Sequence, residues 1–284
     1  MSAEPWSAFA GLLLGRLPWA LIATALLALA AWLRGSVSSS GVAGGVVVGL
    51  VFWLGGDWAV WSLLAVFFVS SSLIGLPAKR LRPQLESKHQ RGSRRTWQQV
   101  AANTAPMVIA SLALPWAQLS VNPMAVNTLL VAICAGFAAA ASDTWAGEIG
   151  VLSRRSPKLL WGLEKAEAGQ SGGVSWLGTG GALAGALGLS ATGLFTGIGA
   201  RAMLVATCWG FFSSLLDSLL GATLQALYKS SDGQWTEKPE DLQGNPHPLV
   251  RGWRWMNNDV VNLVSVSVAV LGAGVSASLL GPPL

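Results

Sequence analysis

Long apolar runs dominate the chain, and each is about as long as one membrane crossing. A helix needs about 20 mostly apolar residues to span the hydrocarbon layer of a bilayer. The second run is short and rich in Ser and Gly, so a re-entrant segment is an alternative there. Runs of this kind predict eight membrane-spanning helices, over residues 17–33, 37–54, 58–76, 100–119, 127–147, 174–199, 202–228 and 260–280.

The composition supports that pattern. Hydrophobic residues make up 52% of the 284 residues and charged residues only 11%, and the mean hydropathy is +0.52. A soluble domain carries about 25% charged residues, so most of this surface must face lipid. The prediction is an all-α polytopic membrane protein, with a single integral membrane domain over residues 1–284. Because residues 1–6 contain Glu4 and no basic residue, no cleavable signal is expected.

Basic residues are distributed unevenly between the predicted spans. If the amino terminus lies outside, the positive-inside rule is satisfied along the whole chain and both termini are outside. This topology explains the net charge of +5 better than a nucleic-acid-binding surface does. Apart from Arg16 and Arg201, every Lys and Arg falls in four segments predicted to face the cytoplasm, residues 34–36, 77–99, 148–173 and 229–259.

A weak internal repeat suggests a duplicated ancestor, although Gly-rich membrane helices also match by chance. A second local pattern, Asp-[Ser/Thr]-x-x-Gly, occurs at Asp143 and again at Asp217. The repeated positions are Ser39, Gly44, Gly45 and Gly49, which correspond to Ser175, Gly180, Gly181 and Gly185.

Asp143 and Asp217 interrupt otherwise apolar spans. A charged side chain at the centre of a span costs about 2.5–3.5 kcal/mol or more, so each should face a polar interior. Both are predicted near the cytoplasmic end of a helix, at similar depth. Two such carboxylates suit Mg²⁺, which takes one or two carboxylates and then substrate phosphates, and Glu148 could add a third. The alternative is a structural acid, capped or paired with Arg.

The segment from Gly169 to Ser175 is a Gly/Ser-rich approach to the sixth predicted span. Free backbone N–H groups at a helix start bind phosphate, which makes Ser171, Gly172, Gly173 and Ser175 candidates. An ordinary linker in which Ser171 or Ser175 caps the helix is equally compatible. The chain contains no Gly-x-x-x-x-Gly-Lys-[Ser/Thr] motif.

The segment before the fourth predicted span is basic and includes Lys88, Arg94 and Arg95. Arg95, Gln99 and Asn103 recur every four residues and therefore share one helical face. Arg clusters bind phosphate, although attraction to anionic lipid headgroups also explains part of the run. Asn103 lies inside the span and fits the lipid explanation poorly.

Polar residues also open the last predicted span, at Asn257, Asn258, Asp259 and Asn262. Asp259 is a candidate helix N-cap, and Asn258 and Asn262 are candidates for orienting bound groups. Acids for Mg²⁺ together with N–H groups and Arg for phosphate oxygens are the parts of a phosphoryl-transfer site. These polar groups are all predicted on the cytoplasmic face.

Several of these segments carry a family resemblance. The chain resembles a family of integral membrane proteins whose best-understood members are the plant and cyanobacterial phytyl-phosphate kinases of tocopherol synthesis. That resemblance implies phosphoryl transfer from a nucleoside triphosphate, with CTP favoured, to an isoprenoid monophosphate, giving the diphosphate for tocopherol or quinone side chains. The segments are GSRRTWQQVAAN, SDTWAGEIG, SGGVSWLG, LLDSLLGATLQ and NNDVVN.

The resulting interpretation is a polytopic lipid kinase. Its predicted catalytic residues are Asp143, Asp217, Arg95 and Asn103, with Mg²⁺ on Asp143, Asp217 and Glu148. A transporter that uses the two aspartates for a coupling ion is one alternative, and a structural membrane protein is another. The predicted nucleotide- and phosphate-binding residues are Lys88, Arg94, Ser171, Gly172, Gly173, Ser175, Asn258 and Asn262.

Overall fold

The computed structural model describes residues 4–81, 94–162, 164–241 and 243–281. Seven helices in this part of the chain are long and apolar enough to cross a membrane. They are α1 (Glu4–Leu33), α2 (Ser39–Leu81), α3 (Trp97–Leu119), α4 (Pro123–Gly150), α5 (Trp176–Thr192), α6 (Ala200–Thr223) and α7 (Asn258–Leu280). The strands are β1 (Lys158–Leu159), β2 (Gly173–Val174), β3 (Leu227–Lys229), β4 (Trp235–Thr236) and β5 (Leu249–Arg251).

Helix α2 is a helical hairpin, and its two arms account for the second and third predicted spans. Asp57 breaks the helix with φ of 60° and ψ of −163°. Phe52 and Phe67, on opposite sides of the break, both contact Phe137, at ring-centroid distances of 5.1 and 6.3 Å. A straight helix would place those two rings roughly 22 Å apart, so the arms must fold back on each other. The short, Gly-rich second run is therefore one full arm of the hairpin.

Arg16 of α1 holds the tip of this hairpin. Its guanidinium donates to the carbonyl oxygens of Leu54 at 2.9 Å and Gly55 at 3.1 Å, and it lies 3.6 Å from the Asp57 carboxylate. The last carbonyls of a helix have no partner within that helix. Arg16 supplies that partner, which explains a half-buried cation far from the other basic residues.

Helix α4 forms the centre of the bundle, and small residues let its neighbours approach closely. A methyl group placed on Gly210 of α6 would lie 2.6 Å from Ala138, and one on Gly185 of α5 would lie 2.8 Å from the Ala141 carbonyl oxygen. Close backbone approach of this kind is how membrane helices gain packing energy without a hydrophobic driving force. The Gly- and Ala-rich composition therefore determines the helix spacing around α4.

Short strands, which were not predicted, lie at the loop-rich end of the bundle, the end that carries residues 151–175 and 224–257. β1 pairs with β2, and β3 lies between β4 and β5 in a three-stranded sheet. The predicted span over residues 202–228 is consequently too long, because α6 ends at Thr223 and Leu227–Lys229 is strand β3. The apolar residues there pack in the sheet, which an apolar run by itself cannot distinguish from a helix end.

Two helix starts are alike in the structure, although not at the positions that the predicted repeat pairs. Ser38 and Ser175 each accept a hydrogen bond from the backbone N–H three residues further on, both at 3.1 Å. Gly35 and Gly172, three residues before each serine, both have positive φ, 65° and 80°. The structural match is shifted by one residue from the predicted pairing of Ser39 with Ser175.

Candidate functional site

A cavity of about 600 Å³ opens at the loop-rich end of the bundle, with walls from all seven helices. Most of the predicted site residues line this cavity. The exceptions are Arg94, which is not part of the wall, and Lys88, which lies outside the described residues. The predicted residues that line this one cavity are Arg95, Asn103, Asp143, Glu148, Ser171, Gly172, Gly173, Ser175, Asp217, Asn258 and Asn262.

The two aspartates meet because α4 and α6 run in parallel and touch. Both helices end beside the 169–175 segment, and Gly210 packs against Ala138. Asp143 lies five residues beyond Ala138 and Asp217 seven beyond Gly210, so their depths differ by about 3 Å. The two carboxyl groups are within electrostatic reach of each other. The fold therefore brings the two aspartates near each other at similar, though not equal, depth.

Asp217 carries an unsatisfied polar atom. Its Oδ2 is buried and accepts no well-formed hydrogen bond from the described residues, although the Ser265 hydroxyl lies near the Asp217 side chain. Buried polar atoms are nearly always paired with protein, water or an ion, and an unpaired carboxylate oxygen beside a second carboxylate fits a hard cation such as Mg²⁺. Within the described ranges, however, no group of three His, Cys, Asp or Glu side chains could hold a metal.

Glu148 is the reason that a three-carboxylate site does not form. Five residues correspond to about 500° around a helix, which places Glu148 on a different face of α4 from Asp143. Its carboxylate packs beside Gly75, where an added methyl group would lie 3.2 Å from it, and it is within electrostatic reach of Arg95. Glu148 is thus placed beside Arg95 and not with the two aspartates.

Arg95 is held rigidly at the mouth of the cavity, just before α3 begins. Its backbone N–H donates to Ser36 at 3.1 Å, and its carbonyl oxygen accepts from Ser38 at 3.0 Å. The guanidinium lies over the Phe67 ring, 5.2 Å from the centroid. Burial lowers the pKa of Arg95 and the Glu148 carboxylate opposes that shift, yet an arginine stays charged in proteins.

Two further arginines lie close to Arg95. Arg34 lines the cavity, and a methyl group on Gly35 would lie 3.9 Å from the Arg94 guanidinium. We define Arg34 and Arg95 as the basic side of the site, and Arg94 lies beside it outside the cavity wall. In the sequence Arg34 contributes only to the charge bias of a short loop. Its place in the site follows from the packing of the turn over residues 34–38 against Arg95, which the sequence does not reveal.

The Gly/Ser segment lines the cavity, but its hydroxyl groups are bound within the protein. Ser171 donates to Glu237, and Gln225 donates to both at 3.1 Å. Ser175 caps α5, as the alternative interpretation of this segment anticipated. Gly172 has φ of 80°, and a methyl group there would lie 2.2 Å from the backbone nitrogen of Ala222. The segment therefore closes the wall between α5 and α6.

The starts of α3 and α7 contribute amide side chains. Asn103 donates to the Gln99 carbonyl oxygen at 2.9 Å, and Asn258 and Asn262 line the cavity. The N-cap of α7 is Asn257, whose side chain accepts from the Val260 N–H at 3.1 Å. The prediction that Asp259 is the cap is therefore wrong. Asp259 lies in the first turn of α7 and lines the cavity.

Three polar residues of the site were missed in the sequence. Gln225 and Glu237 line the cavity, while Arg251 donates to the carbonyl oxygens of Gly221 at 2.8 Å and Ser171 at 3.4 Å. Glu237 and Arg251 belong to the segment that forms β3, β4 and β5, and that sheet returns them to the helices, whereas Gln225 comes just after the end of α6. We define Asp143, Asp217 and Glu237 as the acidic side of the site.

A polytopic helical bundle with a charged cavity at one end defines the class of this protein, an integral membrane protein with an embedded polar site. The family model described as integral membrane protein DUF92 matches residues 22–270, and the chain belongs to this family. The family resemblance carried by the sequence motifs is thereby confirmed.

Two relatives illustrate the breadth of the similarity. The chain is 30% identical to Protein PGR of Arabidopsis thaliana, over 88% of this chain and 92% of the relative. It is also 30% identical to an uncharacterised membrane protein of Methanocaldococcus jannaschii, over 66% of this chain and 75% of the relative. No solved structure matches the chain.

Proposed function

We propose that this protein is a membrane-embedded kinase of isoprenoid monophosphates. It would transfer a phosphoryl group from a nucleoside triphosphate, with CTP favoured, to a substrate such as phytyl monophosphate. The diphosphate product would supply tocopherol or quinone side chains. The family resemblance suggests this reaction, and the composition of the cavity supports it.

The observation that carries the proposal is that one cavity holds both arginine side chains and a pair of aspartates. The basic side attracts a phosphate directly, and the acidic side attracts one through a bound cation. Phosphoryl transfer between two phosphorylated substrates needs both kinds of contact within reach of each other. The cavity also has an apolar wall formed by α1 and α2, which suits a substrate with a lipid tail.

The acidic side fits Mg²⁺, because two carboxylates of similar depth leave further coordination positions for substrate phosphates. Asp143 and Asp217 would hold the ion, which would neutralise charge on the transferring phosphoryl group. This assignment uses the unsatisfied Oδ2 of Asp217 and leaves Glu148 beside Arg95.

The reaction itself requires positioning more than covalent chemistry by the protein. A phosphate oxygen of the acceptor forms a bond to the γ-phosphorus, and the bond between that phosphorus and the β,γ-bridging oxygen breaks. The nucleoside diphosphate leaves with that oxygen and the bonding electron pair. Arg95 would hold the acceptor phosphate while Asn258 and Asn262 orient the donor, so that the two reacting oxygens lie in line.

The site would face the cytoplasm, where nucleoside triphosphates are available. Arg34, Arg94 and Arg95 all lie at the loop-rich end of the bundle, and basic loops remain on the cytoplasmic side of a membrane. The aspartates support an enzyme more than a transporter. They lie about 10 Å from the helix ends at Gly150 and Thr223, whereas coupling ions bind near the midplane.

The direct test is a transfer assay on the purified full-length protein in lipid nanodiscs. Wild-type protein with phytyl monophosphate, Mg²⁺ and γ-labelled CTP should yield labelled phytyl diphosphate. Asp143→Asn and Asp217→Asn should each lower the rate roughly 10²-fold or more, because each removes a charged ligand from the transition state. Removal of Mg²⁺ with EDTA should abolish transfer in the wild type.

The matched control is Glu240→Gln, which neutralises an exposed acid in the loop between β4 and β5. Its rate should equal that of the wild type, and all variants should keep the wild-type melting temperature within a few degrees. Full activity in either aspartate variant would overturn the assigned roles. Substrate uptake into proteoliposomes without nucleotide, and no transfer with any triphosphate, would instead establish the transporter.

A further inference from the structure

The cavity is asymmetric in polarity as well as in charge. Its apolar wall is built mainly by α1 and by both arms of α2, the helices that flank the basic side. The acidic side is bordered by α4, α5, α6 and the Gly/Ser segment, whose lining residues are mostly small or polar. The apolar residues that α1 and α2 contribute are Leu27, Ala28, Ala31, Val42, Val48, Leu64, Phe67, Phe68 and Leu76.

Phe67 connects the basic side to this apolar wall. The Arg95 guanidinium lies over the Phe67 ring, 5.2 Å from its centroid, and Phe67 is only 6% exposed. An anion bound to Arg95 therefore lies no further from the apolar wall than the width of one side chain. Free nucleotide phosphates have no apolar group at that distance, whereas a phosphate monoester of a long-chain alcohol has its first methylene there.

The apolar region has a floor where α1 meets the hairpin. A methyl group on Gly49 would lie 2.7 Å from Thr24, and Trp61 donates to the Thr24 hydroxyl at 3.3 Å. Thr24 is nine residues from Leu33, the end of α1, which is a depth of about 14 Å. The wall that α1 offers to a chain entering beside Arg95 is therefore roughly that long.

We infer that the two substrates occupy separate halves of the cavity. The acceptor, a single-chain isoprenoid monophosphate, binds with its phosphate on Arg95 and its chain between α1 and the α2 hairpin. The donor binds on the acidic side. Ala28, midway along the apolar wall, determines which chains fit. This inference rests on the proposed kinase function for the identity of the acceptor, but it is tested by binding alone.

The test measures binding without nucleotide or Mg²⁺, using full-length protein in nanodiscs and calorimetric titration. Wild-type protein should bind a fifteen-carbon prenyl monophosphate. Ala28→Leu places a larger side chain in the wall and should weaken this ligand at least tenfold, because overfilling a packed site is costly. A five-carbon prenyl monophosphate ends before Ala28, so its affinity should change less than threefold.

The matched control for the wall is Ala30→Leu, the same substitution on the exposed face of α1, and it should bind both ligands as the wild type does. Equal affinities of Ala28→Leu and Ala30→Leu for the fifteen-carbon ligand would overturn the inference. Equal binding of phosphatidic acid, which has two chains, would also overturn it, since that result would indicate a general anionic-lipid site.

The head contact is tested with Arg95→Gln. This variant should bind the fifteen-carbon monophosphate at least tenfold more weakly and should bind the parent alcohol as the wild type does. An equal loss for both ligands, or no loss for either, would contradict the assignment of the phosphate to Arg95. If chain-selective binding holds but transfer fails, only the kinase proposal fails; active transfer with no chain effect in Ala28→Leu refutes only this inference.

Discussion

At the scale of single residues, the site depends on glycines as much as on charged groups. Gly172 has φ of 80° and lies against the last turn of α6, where a methyl group would be 2.2 Å from the Ala222 nitrogen. Gly162 has the same φ but no atom within 4 Å of the corresponding position. Comparing substitutions at the two positions therefore separates the effect of backbone strain from that of close packing.

Gly172→Ala should destabilise the protein more than Gly162→Ala does. Both substitutions force a left-handed residue, at about 1–2 kcal/mol, but only the first also pushes the Gly/Ser segment away from α6. In nanodiscs, Gly162→Ala should retain activity with a small decrease in melting temperature. Gly172→Ala should melt several degrees lower still and lose most activity. Identical melting curves for the two variants would contradict the packing role.

At the scale of elements, the α2 hairpin depends on a contact from another helix. The first arm ends at the break between the second and third predicted spans, and Arg16 binds two of its last carbonyl oxygens as well as the Asp57 carboxylate. The last carbonyls of a helix have no partner within that helix, and leaving them unpaired is costly. The hairpin tip therefore depends on α1 for its stability.

Arg16→Met should lower stability by about 2–4 kcal/mol, because it leaves both carbonyls and a partly buried carboxylate without a cation. The measurement is reversible unfolding in mixed micelles, together with protease cleavage near residue 57. Arg201→Met, which removes an exposed cation at the start of α6, is the control and should unfold as the wild type does. Equal stability of the two variants would show that Arg16 does not hold the tip.

At the scale of the whole molecule, the aspartates are paired by the close approach of α4 and α6. Gly210 permits that approach, since a methyl group there would lie 2.6 Å from Ala138. Asp143 is five residues from Ala138 and Asp217 is seven residues from Gly210, so neither aspartate takes part in this contact. Their pairing therefore depends on how the two helices pack. Any increase in the distance between α4 and α6 should be transmitted to the site.

Gly210→Ala should reduce both the melting temperature and the transfer rate, the latter by tenfold or more, because a misplacement of about 1 Å can cost 10²-fold in rate. Gly180→Ala is the matched control, since Gly180 is an exposed helical glycine of α5 with no atom within 4 Å of the added methyl group. It should be neutral or slightly stabilising. Unchanged activity in Gly210→Ala would show that the geometry of the site does not depend on this contact.

The sequence by itself determined the membrane class and the helical architecture, and it named many of the polar residues that line the cavity. Apolar length and charge bias depend only on the bilayer, so they are readable along the chain, and acids such as Asp143 and Asp217 are conspicuous because lipid tolerates them poorly. Only the tertiary structure decided that Glu148 lies beside Arg95, that Ser171 and Ser175 are bound within the protein, and that Glu237 belongs to the site. Those outcomes depend on helix rotation, cap formation and strand pairing, which are decided by packing between segments distant in sequence.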